Sequence, residues 1–181
     1  MHTRKINVPG FTIGTAEDRK GLTGVTVILA PQEGATAGVD VRGCAPGTRE
    51  TDLLSPEKTV QKIHAVVLSG GSAFGLEASS GVMNYLAKQG RGFFVGPACV
   101  PIVCQAVLFD LLIGSHTAHP TLQMGYEAAE SAGNVFPVGC YGAGTGASVG
   151  KLIGGEHAMK SGAGYAELHL DSGLYVGAYM A

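Results

Sequence analysis

An α+β domain is predicted by three features of the chain. Val25-Thr26-Val27-Ile28-Leu29-Ala30 is an apolar, β-branched run of the kind that forms a buried strand. Residues 64–68 form a second apolar run, which breaks at Ser69-Gly70-Gly71-Ser72 and resumes with helical spacing through about Gln89. Near the end, residues 164–170 and 174–181 flank Asp171-Ser172-Gly173, the pattern of a β-hairpin. With 181 residues, the chain is long enough for one domain, 1–181, with a sizeable core.

The elements follow in order. Residues 11–14 and 24–31 read as two strands joined by a turn over 18–24, and residues 35–41 as a third, small and apolar. A glycine- and proline-punctuated loop over 42–50 comes next. A short helix is expected after Ser55-Pro56-Glu57, because proline suits a first helical position. The central strand, 64–68, feeds a helix whose apolar positions are Phe74, Leu76, Ala78, Val82, Met83, Tyr85 and Leu86, and Gly90-Arg91-Gly92 ends it. Residues 93–95 and 102–103 are short strand candidates, and 106–112 reads as strand or helix. Residues 116–122 read as a loop, and 124–132 as a short amphipathic helix ending at Gly133.

Composition narrows the function classes. The apolar share is 45% and the charged share 14%, far from a disordered composition. So few charges suggest a surface largely covered by subunits or by a further segment. A net charge of −2 with no basic block gives nucleic-acid binding no support. Cys44, Cys99, Cys104 and Cys140 lack CxxC spacing and read as buried free thiols of a reducing, cytoplasmic setting. The N-terminus has no apolar signal region, and the longest apolar tract is interrupted by Pro101, Gln105 and Asp110. The chain stops on the apolar run 174–181, an edge that invites pairing, so a partner strand is expected from a downstream segment or another chain.

Two glycine-rich stretches stand out as the walls of a site. In Ser69-Gly70-Gly71-Ser72 a strand runs through a glycine turn into a helix, which aims backbone N–H groups at one spot and suits an anion or a carbonyl oxygen. A helix cap at Ser72 and a turn at Ser69 account for the same residues. The second stretch, Gly142-Ala143-Gly144-Thr145-Gly146, lacks both the GxGxxG and the phosphate-loop spacing. Lys151 follows it among apolar neighbours. Such a lysine either loses solvation, lowering its pKa for proton transfer, or keeps its head in water. His116 and His119 read as solvated loop residues and His64 as structural. Asp110, inside an apolar run, reads as a cap or as a buried acid paired with Lys151 or Arg42.

These residues, in this order, resemble the DmpA-type peptidase family. The resemblance is carried by Gly24 to Val27, Ala37 to Gly43, Leu68 to Leu76, Val100 to Val103 with Phe109-Asp110, and Gly142 to Ala147 with Lys151. That family includes L-aminopeptidase/D-amino-acid esterases, β-peptidyl aminopeptidases and the nylon-oligomer hydrolase NylC. The resemblance spans about Gly10 to Ala181.

It implies an αββα sandwich of the DmpA and ornithine acetyltransferase type, and a precursor that cleaves itself into α and β chains. The nucleophile is then the N-terminal Ser or Thr of the β chain, no metal or organic cofactor is needed, and the αβ units assemble as homo-oligomers. This sequence resembles most of an α chain. The nucleophile and the oxyanion-hole asparagine fall beyond Ala181, so the chain by itself is expected to be inactive. Lys151 matches the lysine near the nucleophile of the nylon hydrolase. Phe109 takes the place of a tyrosine that assists the oxyanion or the substrate, and Val107 that of a glutamate holding the substrate ammonium. The pocket walls would be Ser69, Gly70, Gly71 and Ser72 with Gly142, Ala143, Gly144 and Thr145. The reading is an N-terminal-nucleophile hydrolase of peptides or small amides. An acyltransferase of the ornithine type and a non-catalytic assembly or ligand-binding domain are the alternatives.

Overall fold

The computed structural model describes residues 2–181. The elements are β1 (His2–Lys5), β2 (Thr12–Asp18), β3 (Thr23–Leu29), β4 (Thr48–Arg49), β5 (Ala65–Ser69), α1 (Ala78–Lys88), β6 (Phe93–Val95), β7 (Ala98–Val100), β8 (Val103–Val107), α2 (Leu122–Glu130), β9 (Val135–Val138), β10 (Ser148–Val149), β11 (Met159–Lys160), β12 (Gly164–His169) and β13 (Tyr175–Met180). The main sheet has the order β2-β3-β5-β8-β4. Within it β5 and β8 run parallel and the other neighbours antiparallel.

Alternation along the strands divides the sheet into two faces. Val25, Val27 and Leu29 of β3, Ala65 and Val67 of β5 and Val103 of β8 share one face, where they pack with Ala78, Val82 and Leu86 of α1 and Ala128 and Ala129 of α2. Burying each of the valine and leucine side chains contributes roughly 1.5–3 kcal/mol. The helices have local causes. Helix α1 ends in a glycine cap: Gly90 has φ 64°, its N–H donates to Ala87 O, and Arg91 N–H donates to Leu86 O. Helix α2 starts two residues before the expected Met124, because the Thr121 side chain caps it by accepting the Met124 N–H at 3.3 Å.

The second face carries Ile13 and Ile28, which cluster with Ile6, Phe136, Val138, Tyr165 and Tyr179. These residues bring the β12–β13 hairpin and the β1–β9 pair against the sheet, so the layers run helix, sheet, and a layer of two two-stranded sheets. A polar latch ties the hairpin to the N-terminal segment. Glu167 accepts from the Tyr165 hydroxyl at 2.5 Å and from the Asn7 backbone N–H and side-chain amide at 2.9 Å each. Those donors, the Tyr165 hydroxyl first, hold the Glu167 carboxyl down at about 2. A lowered carboxylate stabilises the fold above its unfolded value and loses that contribution as pH falls through the folded one. Glu167→Gln is therefore expected to be less stable than the wild type at pH 6, with the gap closing between about pH 4.5 and about pH 2. Urea midpoints across that range check it, and a gap of constant size would remove the latch.

Several expectations are corrected. Residues 35–41 do not form a strand. Only Ala35 bridges to Ile63, β4 occupies the β8 edge, and Val39 and Val41 lie exposed. No helix follows Ser55-Pro56-Glu57. A single 3-10 turn, Asp52–Leu54, precedes it and stops where the residue before proline disfavours helix. The run 106–112 is strand only as far as Val107. The helix after β5 begins as a 3-10 segment, Ser72–Glu77, whose tighter winding turns Phe74 outward to stack on His119 at 5.3 Å. His119 is thereby half-buried, while His116 is exposed. Only Cys104 of the four thiols is buried, and burial pushes its pKa up to about 11. Cys44 and Cys140 are exposed. Strands β1 and β9 carry no clear apolar alternation and exist through pairing with each other.

Candidate active site

The two glycine-rich stretches meet at one end of the sheet. Strands β5 and β8 run parallel, so the loops leaving their carboxyl ends, after Ser69 and after Val107, lie side by side. Strand β3 is antiparallel to β5 and starts at the same end with Thr23 and Gly24. The second stretch, a 3-10 turn over Gly142–Thr145, packs on β3 there. Ala143 N–H donates to Thr26 Oγ1 at 3.1 Å, and a Cβ on Gly24 would overlap the Gly142 carbonyl. Thr26 Oγ1 also bonds the Tyr179 hydroxyl at 3.0 Å, which joins this wall to the hairpin.

The first wall is held by its own polar groups. Gly70 N–H donates to Gly24 O, Gly71 N–H to Asp110 Oδ1 at 2.6 Å and Ser72 N–H to Leu108 O. The donors expected to converge on an open spot are thus engaged inside the chain. Ser69 is fully buried, and its hydroxyl donates to Gly75 O at 3.2 Å while accepting from Gln105 Nε2 at 2.7 Å. Gln105 Nε2 also donates to Gly75 O, so this network sets the shape of the turn. Ser72 has φ 52° and caps nothing with its side chain.

The second wall is equally buried. Gly142 N–H donates to Glu17 Oε2 at 3.2 Å, and Glu17 also pairs with Arg19, whose guanidinium lies 4.6 Å above the Tyr141 ring centre. Thr145 is 3% exposed, and its hydroxyl has no hydrogen-bond partner among the described residues. Lys151 is exposed on a 3-10 turn beside Leu152 and Ile153, both bare to solvent, so its side chain lies in water in this chain. The lysine tied to this wall is Lys160, whose Nζ donates to the carbonyls of Gly144, Ala147 and Ser161 at 2.9, 3.1 and 2.6 Å. Its isolated place in the sequence gave no sign of this.

Asp110 sits between the walls with neither of its expected cations. Its carboxylate accepts from Gly71 N–H and, at 2.8 Å, from the Thr23 hydroxyl, while Arg42 pairs with Asp40 at 2.6 Å. Phe109, the adjacent residue, is 55% exposed and presents an apolar ring with no hydrogen-bonding group.

The sequence model of peptidase family S58 matches residues 6–178. The chain belongs to peptidase family S58. Within S58, an uncharacterized aminopeptidase of Mycobacterium tuberculosis is 47% identical over 154 residues, 85% of this chain and 42% of the relative. The 6-aminohexanoate-oligomer endohydrolase of a Kocuria species is 37% identical over 151 residues, 83% of this chain and 40% of that enzyme. The chain thus spans about two-fifths of the length of these relatives. The solved structure of a Burkholderia beta-aminopeptidase superposes with a TM-score of 0.71 at 20% identity, over 95% of this chain and 49% of the other. The S58 fold, an αββα sandwich, accounts for the helix layer and the two sheet layers seen here. No helix among the described residues is long and apolar enough to cross a membrane.

Proposed function

We propose that this chain is the α portion of a self-processing amide hydrolase whose nucleophile, a Ser or Thr, is carried on a segment C-terminal to residue 181. The observation that carries this reading is the S58 match over residues 6–178, with relatives named as an uncharacterized aminopeptidase and a 6-aminohexanoate-oligomer endohydrolase. In the reaction the nucleophile's hydroxyl oxygen attacks the amide carbonyl carbon, its proton passes to the departing amine, and water then hydrolyses the acyl ester. The chain's own share is to shape the pocket. Ser69 to Ser72 and Gly142 to Thr145 form walls whose polar groups are mostly used internally, while the buried Thr145 hydroxyl has no partner among the described residues. The α and β portions assemble together and the units form a cytoplasmic homo-oligomer; no metal or organic cofactor takes part.

Lys151, solvated in this chain, acts on the nucleophile or on its maturation once the β segment covers that surface. Lys151→Ala is expected to lower kcat or slow self-cleavage by about 10²-fold, in the range of a lost general acid–base group. Intact-mass analysis of the protein as its gene encodes it, followed by assays on amino-acid anilides and 6-aminohexanoate oligomers, tests both claims. An uncleaved, inactive wild type removes the enzyme reading, and an unaltered Lys151→Ala variant removes the lysine. Between the two substrate classes, Val107 favours acyl amides or oligomers. It ends β8 at the site with an apolar side chain and offers no carboxylate to hold a substrate ammonium.

A further inference from the structure

We infer that Asp110 is a positioning residue that locks the two glycine-rich walls to each other; the inference rests on reading those stretches as walls of the hydrolase site. Three observations carry it. First, the carboxylate is 3% exposed and has no cation within ion-pair distance among the described residues. A buried carboxylate is costly unless hydrogen bonds compensate it, so these two bonds have a specific task. Second, the bonds reach separate elements: Gly71 N–H in the turn after β5 and the Thr23 hydroxyl at the start of β3. Leu108 reinforces the first, since its N–H donates to Ser69 O and its carbonyl accepts the Ser72 N–H. Third, both walls close on the carboxylate through glycine. A Cβ at Gly70 would overlap Asp110 Oδ2, and so would a Cβ at Gly146.

The consequence is a single rigid body. A shift of the second wall at Gly146 presses on the Asp110 carboxylate, which pulls the Gly71 N–H and with it the turn. Catalysis that depends on placement of reacting groups is sensitive to such a lock, because a misplacement of about 1 Å can cost about 10²-fold.

The test uses the protein as its gene encodes it, with Asp110→Ala, Asp110→Asn, Gly146→Ala and a core control, Val67→Ala. Hydrogen exchange is followed at residues 69–75 and 142–146, and kcat and KM are measured on an amide substrate. Asp110→Ala and Gly146→Ala are expected to speed exchange in both segments by about tenfold and to lower kcat by about tenfold or more, with KM nearly unchanged. Asp110→Asn keeps the shape: its carbonyl accepts the Gly71 N–H, and its amide donates to Thr23, so it restores both readouts to near wild type. The inference falls if exchange rises in one segment only, if the rise is as uniform as in Val67→Ala, if the loss lies in KM, or if Asp110→Asn is as damaged as Asp110→Ala. A wild type without amide hydrolysis would overturn the hydrolase reading, and the exchange pattern would then decide the lock by itself.

Discussion

Replacing Gly125 with valine is expected to lower the melting temperature by about 6–12 °C. Helices α1 and α2 meet backbone to backbone. A Cβ on Gly125 would overlap the carbonyl of Ala78, and a Cβ on Gly81 would overlap the carbonyl of Leu122. The two glycines therefore fix how closely the helices approach each other and the sheet. Added volume at a filled site costs roughly 1–3 kcal/mol, and here the opposing atoms are backbone and cannot swing aside. At about 2–4 °C per kcal/mol for a domain of this size, a cost of about 3 kcal/mol gives the stated shift. Gly125→Ala should fall in the same direction but less far, since alanine recovers up to about 1 kcal/mol of helix propensity. A thermal scan in which Gly125→Val melts within about 2 °C of wild type would mean that the helices slide apart at little cost.

Phe136→Ala carries the second large effect, a loss of about 3–5 kcal/mol from emptying the core between the two sheets. Phe136 is 2% exposed and is the largest fully buried side chain there, with Ile6 and Ile13 beside it. The rings of Tyr165 and Tyr179 stand 5.3 and 6.2 Å from its own, so one truncation removes the anchor of both hairpin strands. Because Tyr179 also bonds Thr26, which holds the Ala143 N–H, the loss reaches the second glycine-rich stretch. Urea unfolding measures the total, and hydrogen exchange at residues 164–180 reports where it is felt. Full protection of the hairpin in Phe136→Ala would show that the hairpin is held by something other than this cluster.

Much of the helix-side architecture, and the terminal hairpin on the other face, was legible in the residues. The β3 run, the β5 run with its turn and helix, the Gly90 stop and the terminal hairpin all follow from local apolar period and glycine placement. Strands β1 and β9 were not legible, because their stability comes from a partner more than a hundred residues away. The run 35–41 misled for the converse reason: it has strand-like residues, but β4 takes the place beside β8 and only Ala35 bridges, to Ile63. At the site, the two glycine-rich stretches were visible as composition. Which donors they leave free was not, because the Gly70, Gly71 and Ser72 N–H groups are claimed by carbonyls and a carboxylate from other segments.

By itself the sequence determined the family and the α+β class and marked the two glycine-rich stretches, because those depend on ordered motifs, local periodicity and composition. Only the tertiary structure decided which charged groups belong to them. Lys151, next to the second stretch in sequence, is solvated, whereas Lys160 reaches back to the carbonyls of Gly144 and Ala147. Asp110, expected to meet a cation, instead lies between Thr23 and Gly71. The physical reason is that the cost of a buried charge is settled by whatever polar groups the fold brings to it, and sequence neighbours carry no record of that encounter.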